Sequence, residues 1–360
     1  MGGGRRQRAS STTTKGGISY AHLVSDPHSV TNAPDDRQAI LSLGAGTQSS
    51  CLALMAARGD LPESYLRPRA AVFADTGFEP RRVYAHLRWL IDTLGTTLPV
   101  HVVRAMRPDG TPAHIREDTE AIVAGTSSRL ANPPVFVKES LEYTPYHNPE
   151  QQAKFETHLI RRGEIPRFVT LPVFAREFTG SKPVMLRRQC TGDYKITPIY
   201  RFCKPLIGRR RGQRHDTPPF CEMWIGISAE ENARRCKPAQ EKWVTNRYPL
   251  RELGMTRADC EAWLRRTYGI VAPKSACTGC PYHDDGYWRA LRDSSADEFE
   301  AACRFEETIR HLPGVKGECF VHGSCVPLRE IDFSRTRTER RAVRQGQGLL
   351  FDGGEGVCSL

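Results

Sequence analysis

The sequence predicts an α/β fold: a doubly wound parallel sheet with helices on both faces, followed by a C-terminal cysteine-bearing helical region. Three observations predict it. Short apolar runs ending in Gly or Asp recur at residues 39–43 and 70–74. A stretch with helical apolar spacing follows each run. A third apolar run, 99–103, closes a strand–helix–strand–helix–strand series whose spacing suits right-handed parallel crossovers.

Residues 1–38 are rich in Gly, Arg, Ser and Thr, with a basic head Arg5-Arg6-Gln7-Arg8. They lack the apolar area needed to offset ordering entropy and read as a disordered basic tail. Ala39-Ile40-Leu41-Ser42-Leu43 reads as a buried strand. Cys51, Leu52, Leu54 and Met55 give the next stretch helical spacing, and Gly59 stops it. A second strand ends at Asp75-Thr76-Gly77. A helix from Pro80 to Leu94 has proline in its first turn. Prolines at 133, 134, 145, 149 and 166 make 105–190 an irregular insertion with a few short helices. A fourth strand is expected at 223–227. Thr256 with Asp259 opens a helix to Tyr268 as a capping pair. A cysteine loop, 276–281, precedes a helical stretch from Tyr287 to about Arg310. The expected organisation is therefore 1–38 tail, 39–270 nucleotide-binding α/β domain, 271–330 cysteine-loop and helical region, and 331–360 flexible tail.

Composition narrows the function classes. The 360 residues carry 52 Lys and Arg against 41 Asp and Glu, a net charge of +11. Such a surface attracts polyanions: nucleic acid or a polyphosphate nucleotide. No run of about 18 apolar residues predicts a membrane span, and no apolar core follows the basic N-terminus as in a secretory signal. A cytoplasmic location is expected, with the twelve cysteines kept as thiols.

Between the first strand and first helix lies Leu43-Gly44-Ala45-Gly46-Thr47-Gln48-Ser49-Ser50. A helix N-terminus offers backbone N–H groups and partial positive charge to an anion, and glycines let phosphate approach closely. Ser49 and Ser50 are candidates to cap the helix or donate to phosphate. No Lys precedes Ser or Thr as a Walker loop requires, and Ser49 stands where a dinucleotide fingerprint has its third Gly. Asp75 could still mimic a ribose-binding acid, which leaves a dinucleotide oxidoreductase open.

At this loop the sequence resembles the PP-loop superfamily of adenine nucleotide alpha hydrolases, whose usual pattern is Ser-Gly-Gly-x-Asp-Ser. Here Gln48 replaces the Asp, as in a phage and bacterial branch labelled PAPS reductase-like. The resemblance extends through Phe73-Ala74-Asp75-Thr76-Gly77, Arg188-Gln189-Cys190-Thr191 with Tyr194-Lys195-Ile196, and Ile225-Gly226-Ile227-Ser228 with Glu230 and Arg234. It continues through Tyr248-Pro249-Leu250 with Thr256, Asp259 and Trp263, and ends at Cys277-Thr278-Gly279-Cys280-Pro281. These motifs run in the expected order over about residues 39–330.

The resemblance implies a Rossmann-like, HUP-type fold and an enzyme of the ATP pyrophosphatase or PAPS reductase type. Such an enzyme performs sulfur transfer, reduction or acceptor adenylation. It implies ATP or PAPS as the nucleotide, with Mg2+. Ser42, Gly44, Gly46, Gln48, Ser49, Ser50, Asp75, Gly226 and Arg234 would bind it. Asp75, Arg188 and Lys195 are the catalytic candidates. Nucleic acid is the candidate acceptor and a sulfur-donor protein a candidate partner. The loss of the loop Asp to Gln48 removes a charge that could bind magnesium.

Cys277-x-x-Cys280 can bring two thiolates to one metal. Cys190 would be a third ligand and Cys325 a fourth, with Cys319 and Cys203 as alternatives. A 4Fe-4S cluster is the reading the resemblance favours. Structural zinc, a redox dithiol and unliganded thiols are the other readings. Cys358 is similar in position to the mobile C-terminal thiol of PAPS reductases, but the surrounding Gly-Val-Cys-Ser-Leu lacks that family's signature. Lys274, Arg187 and Arg235 are further cations near these motifs, and His283, Asp284 and Asp285 follow the cysteine loop. The competing reading is a non-catalytic nucleic-acid-binding module with a structural zinc site.

Overall fold

Strand β1, Arg37–Ser42, is the centre of a five-stranded parallel sheet. The computed structural model describes residues 37–107, 111–123, 172–177, 181–186, 190–210, 212–231, 236–312 and 315–334. Helix α1 (Thr47–Arg58), β2 (Ala70–Asp75), α2 (Arg81–Leu94), β3 (Val100–Arg104) and α3 (Ile115–Val123) follow β1. After the short strands β4 (Phe174–Arg176) and β5 (Val184–Met185), a π-helical turn, Thr191–Ile196, leads into α4, Thr197–Leu206. Strands β6 (Phe220–Ile225) and β7 (Val244–Arg247) come next. Helices α5 (Pro249–Glu252), α6 (Arg257–Tyr268), α7 (Asp285–Ser294) and α8 (Ala296–Thr308), then β8 (Glu318–Phe320), complete the order.

The large sheet has the order β3-β2-β1-β6-β7. Leu41 of β1 stands opposite Ala71 on one side and Trp224 on the other. Every residue of β2 is buried, as expected of a parallel strand covered on both faces. Side chains alternate across the sheet. Leu41, Leu43, Ala71 and Phe73 pack with α1, α2 and α6, through Leu52, Leu87 and Leu264 among others. Ile40, Val72 and Ala74 face the opposite way, onto Ile199, Phe202 and Cys203 of α4. Helices therefore cover both faces, as expected. Each fully buried leucine here contributes about 1.5–3 kcal/mol relative to exposure.

The early elements lie close to their predicted positions. Gly59 ends α1 in the left-handed conformation, φ 78°. Thr256 caps α6: its Oγ1 accepts from Asp259 N–H at 3.2 Å, while Asp259 Oδ2 accepts from Thr256 N–H at 2.8 Å.

Other expectations are corrected. The first strand starts within the expected tail, because Arg37 and Gln38 pair with Phe220 and Cys221. Strand β6 begins and ends earlier than the predicted 223–227 because its register on β1 starts at Phe220. The helical stretch after Tyr287 is two helices broken at Ser295, and it starts at Asp285, capped by the Asp284 side chain. Phe333, at the start of the expected C-terminal tail, is fully buried, and its carbonyl accepts from Arg289 Nε at 2.8 Å. Residues 1–36, 124–171 and 335–360, with Cys358, lie outside the described residues.

Segments from along the described chain, from Phe78 to Phe333, build a second core. β8 pairs antiparallel with β4, and β4 with β5. Around this small sheet pack Phe78, Ile115, Trp288, Phe305 and Phe333. The described residues from Arg37 onward belong to one compact unit, so the cysteine region and the large sheet share a single body.

Candidate nucleotide site

From β1 the chain steps outward to β2 and β3, then returns to place β6 on the other flank of β1. The strand order reverses between β1 and β6. In open α/β sheets the crevice beyond the strand C-termini at such a point is the ligand site. A small open cleft with a cavity volume of about 80 Å3 lies there, walled by the loop after β1, Gly226 after β6, Lys195, and Arg257 to the side.

The loop is built tightly. Ala45 takes φ 53° with no exposed surface, a conformation that costs a non-glycine residue energy. Ser49 Oγ accepts from the N–H of Gly44 at 3.1 Å and of Gly46 at 3.3 Å. The first intrahelical bond of α1 is Ser50 N–H to Gly46 carbonyl, 2.9 Å. The N–H groups of Thr47, Gln48 and Ser49 thus precede the ladder, and no acidic residue occupies the first turn. That is the arrangement of an anion site.

Two neighbouring segments hold this helix end. Gly226 meets it directly: a Cβ on Gly226 would lie 2.8 Å from Ser49 N. Pro273-Lys274-Ser275 crosses the loop from the other side. Ser275 Oγ donates to Gly44 carbonyl, and a Cβ on Gly46 would stand 2.9 Å from Ser275 Cβ.

The expected site residues separate into groups. Ser42, Gly44, Gly46, Gln48, Ser49, Lys195 and Gly226 all line the cleft. Gln48 turns its amide away from open space, donating to Glu231 Oε1 at 3.3 Å and Ser228 Oγ at 3.5 Å. Ser50 is fully buried, with Oγ 2.9 Å from His86 Nε2, so its hydroxyl belongs to the α1–α2 contact and not to the cleft wall. Burial lowers the His86 pKa to about 4, leaving the ring neutral at ordinary pH.

Asp75 sits elsewhere than a ribose-facing acid would. It is 2% exposed and outside the cleft wall. Its Oδ1 accepts from Gly77 N–H at 2.8 Å and Tyr84 O–H at 2.7 Å, and Oδ2 accepts from Arg104 Nε at 2.8 Å. These partners make it a clamp between the ends of β2 and β3 and helix α2. Arg188 and Arg234, with Arg187 and Arg235, lie outside the described residues.

Lys195 comes from the π-helical turn before α4, a geometry frequent at functional sites. Its Nζ stands 3.9 Å from Glu79 Oε1. Thr76 Oγ1 donates to the same oxygen at 3.0 Å, and Cys277 Sγ approaches it at 3.7 Å. Cys277 is thus in a buried polar cluster behind the cleft. Burial, then the Glu79 charge, pushes its thiol well up.

The cysteines of the expected cluster divide. Cys190, Cys277 and Cys280 share the second apolar core, with Cys190 near enough to Cys277 to influence its charge. Cys325 instead neighbours Cys319, Arg176 and Arg310. Among the described residues no three Cys, His, Asp or Glu side chains are grouped to hold a metal ion. The described donors therefore do not fit a four-cysteine cluster or zinc site in this arrangement. Magnesium meets a similar lack: the described cleft wall contains no carboxylate.

Four cleft residues escaped sequence reading, Ile199, Arg257, Pro273 and Ser275, and Lys274 is more central than it looked. Lys274 Nζ reaches Asp284 Oδ2 at 2.9 Å. Burial disfavours the Asp284 charge, but hydrogen bonds from Lys274 and from Tyr287 N–H outweigh it and hold the carboxyl below its ordinary value. The one available signal was position, since 273–275 directly precede the cysteine loop. Among the described residues no helix is long and apolar enough to cross a membrane. Compared with known proteins, the chain matches no family model and no curated protein sequence.

Proposed function

We propose that the cleft between β1 and β6 binds the phosphates of an adenine nucleotide, ATP or PAPS, in an enzyme of the PP-loop, PAPS reductase-like type. The observation that carries this reading is the convergence of the α1 N-terminus with Lys195, Arg257 and Lys274 on one cleft at the switch point. The HUP-type classification and a nucleic-acid acceptor belong to the same proposal. The three cations are ion-paired to carboxylates outside the described cleft wall, Lys195 to Glu79, Arg257 to Glu261 and Lys274 to Asp284; their remaining donors would meet phosphate oxygens, in the charge role that the loop lost when Gln48 replaced an acid. Ile199, Ile225 and Phe73 supply an apolar side for the base. Thr47 and Ser49, with the first-turn N–H groups, fix the phosphate position. Catalysis in such a site comes from positioning the phosphates and stabilising charge on the departing group.

The test is calorimetric titration of the full chain with ATP and with PAPS, with and without Mg2+, followed by assay for released pyrophosphate or adenosine 3′,5′-bisphosphate. Binding of one nucleotide, weakened at least tenfold in Lys195→Ala, is the expected result. A folded chain that binds neither overturns the reading.

A further inference from the structure

Lys195 reaches the cleft from a single wide turn of backbone. A lysine side chain is a flexible stem with a point charge at its tip, so its position depends on what fixes the backbone beneath it. That backbone is the π-helical turn Thr191–Ile196, in which Thr197 N–H bonds to the Gly192 carbonyl. Turns of this kind are rare and occur as isolated single turns. We propose that Asp118, acting through Tyr194, is a positioning residue for Lys195: it sets where the ammonium group stands in the cleft, and so how tightly nucleotide phosphate is held. The proposal rests on the nucleotide reading of that cleft.

Burial makes the anchor firm. Tyr194 has no exposed surface and Asp118 is 1% exposed. Buried polar groups need partners, and here the Tyr194 hydroxyl donates to Asp118 Oδ2. Burial, then the Asp118 charge, pushes the phenol pKa up, so the hydroxyl stays a donor. Asp118 Oδ1 accepts from Arg107 Nε at 3.0 Å, and Arg107 Nη2 also reaches Glu117 Oε2 at 2.9 Å. A buried carboxylate that loses its partners is costly. This chain of contacts therefore pins Tyr194, the residue before Lys195, to α3.

The contacts also close on themselves. Ile115 N–H, at the start of α3, donates to the Thr76 carbonyl at 3.0 Å. Thr76 Oγ1 donates to Glu79 Oε1 at 3.0 Å, and that oxygen faces Lys195 Nζ at 3.9 Å. The circuit runs from Lys195 through Glu79 and Thr76 to α3, then back through Asp118 and Tyr194. Glu79 meets the tip of the lysine and Tyr194 fixes its base. Neither Asp118 nor Tyr194 belongs to the described cleft wall, so Lys195 is their route to phosphate.

The test is a double-mutant cycle on the full chain, read by calorimetric titration with ATP and with PAPS. Tyr194→Phe keeps the ring and removes the donor. It is expected to weaken nucleotide binding roughly fivefold in the parent chain and to change nothing further in Lys195→Ala. An equal loss in both backgrounds overturns the proposal, because a merely structural role does not need the lysine. A second measurement needs no nucleotide. The lysines are reductively methylated with isotopically labelled methyl groups, and the Lys195 resonance is identified by its absence in Lys195→Arg. That resonance is expected to shift in Tyr194→Phe and in Asp118→Asn while the other lysine resonances stay in place. An unmoved Lys195 resonance overturns the proposal as well. A parent chain that binds neither nucleotide defeats the reading of the cleft, whereas the resonance still decides whether Asp118 and Tyr194 place the lysine.

Discussion

Gly226 lies flat against the backbone of Ser49, so close that a methyl group on it would sit 2.8 Å from Ser49 N. This contact joins the end of β6 to the first turn of α1, and it fixes the width of the cleft at the switch point. Gly226→Ala forces the helix end or the strand end to move. The expected outcome is a nucleotide affinity at least tenfold lower and a stability loss of about 1–3 kcal/mol, read by titration and by denaturant unfolding. Unchanged affinity would show that the helix end does not bind phosphate.

Glu79 stands behind Lys195 and shares one oxygen with Thr76 and Cys277. Glu79→Gln removes the charge that faces Lys195 while keeping the shape. Nucleotide affinity is expected to change severalfold, with the steepness of its salt dependence altered, while the melting temperature shifts little. An effect on melting alone would limit Glu79 to a structural role.

Glu306 is 1% exposed. Burial raises its pKa to about 7, and the Leu328 N–H at 2.6 Å and Arg310 at 3.4 Å do not overcome that effect. The folded chain therefore holds this proton more tightly than the unfolded chain. Its contribution is fully present below the unfolded value near 4.5 and is lost as pH rises toward 7. Glu306→Gln imitates the protonated acid. It is expected to raise stability above pH 7 by on the order of 1–3 kcal/mol and to flatten the pH profile between 4.5 and 7, measured by urea unfolding. An unchanged profile would overturn the assignment.

His86 and His283 work in the opposite direction. Burial lowers their pKa values to about 4 and about 3. Each contributes stability above the unfolded value near 6.5 that is lost as pH falls toward the folded value. His283→Gln should therefore weaken the acid-side loss of stability, read by urea unfolding between pH 3 and 6.5. The native ring's Nε2 lies 2.8 Å from the Cys277 carbonyl, so the variant also tests that anchor of the cysteine loop.

Cysteine reactivity follows burial. Among the described residues Cys236 is the half-exposed thiol, whereas Cys190, Cys277, Cys280, Cys319 and Cys325 are buried. Brief alkylation of the native chain followed by peptide mass mapping is expected to label Cys236 well ahead of these five. Rapid labelling of Cys277 would show that its pocket opens.

The sequence by itself determined the parallel α/β layout, the glycine-rich loop between the first strand and first helix, and the Thr256–Asp259 cap. These rest on short-range signals: apolar runs of strand length, helical spacing, and turn and cap chemistry. Strand β7 was not legible, because Val244-Thr245-Asn246-Arg247 is short and largely polar and becomes a strand only by pairing with β6. In the small sheet β4 pairs with β8, far away in the chain, a pairing that no local pattern encodes. Tertiary structure also decided which candidates meet. Lys195 and Lys274 reach the cleft because the turn before α4 and the 273–275 segment pack beside the loop. Asp75 is drawn into a clamp by Tyr84 and Arg104, and Cys325 neighbours Cys319, Arg176 and Arg310. A motif fixes the kind of side chain and its place along a strand or loop, but the direction it faces is set by partners that only the folded chain brings near.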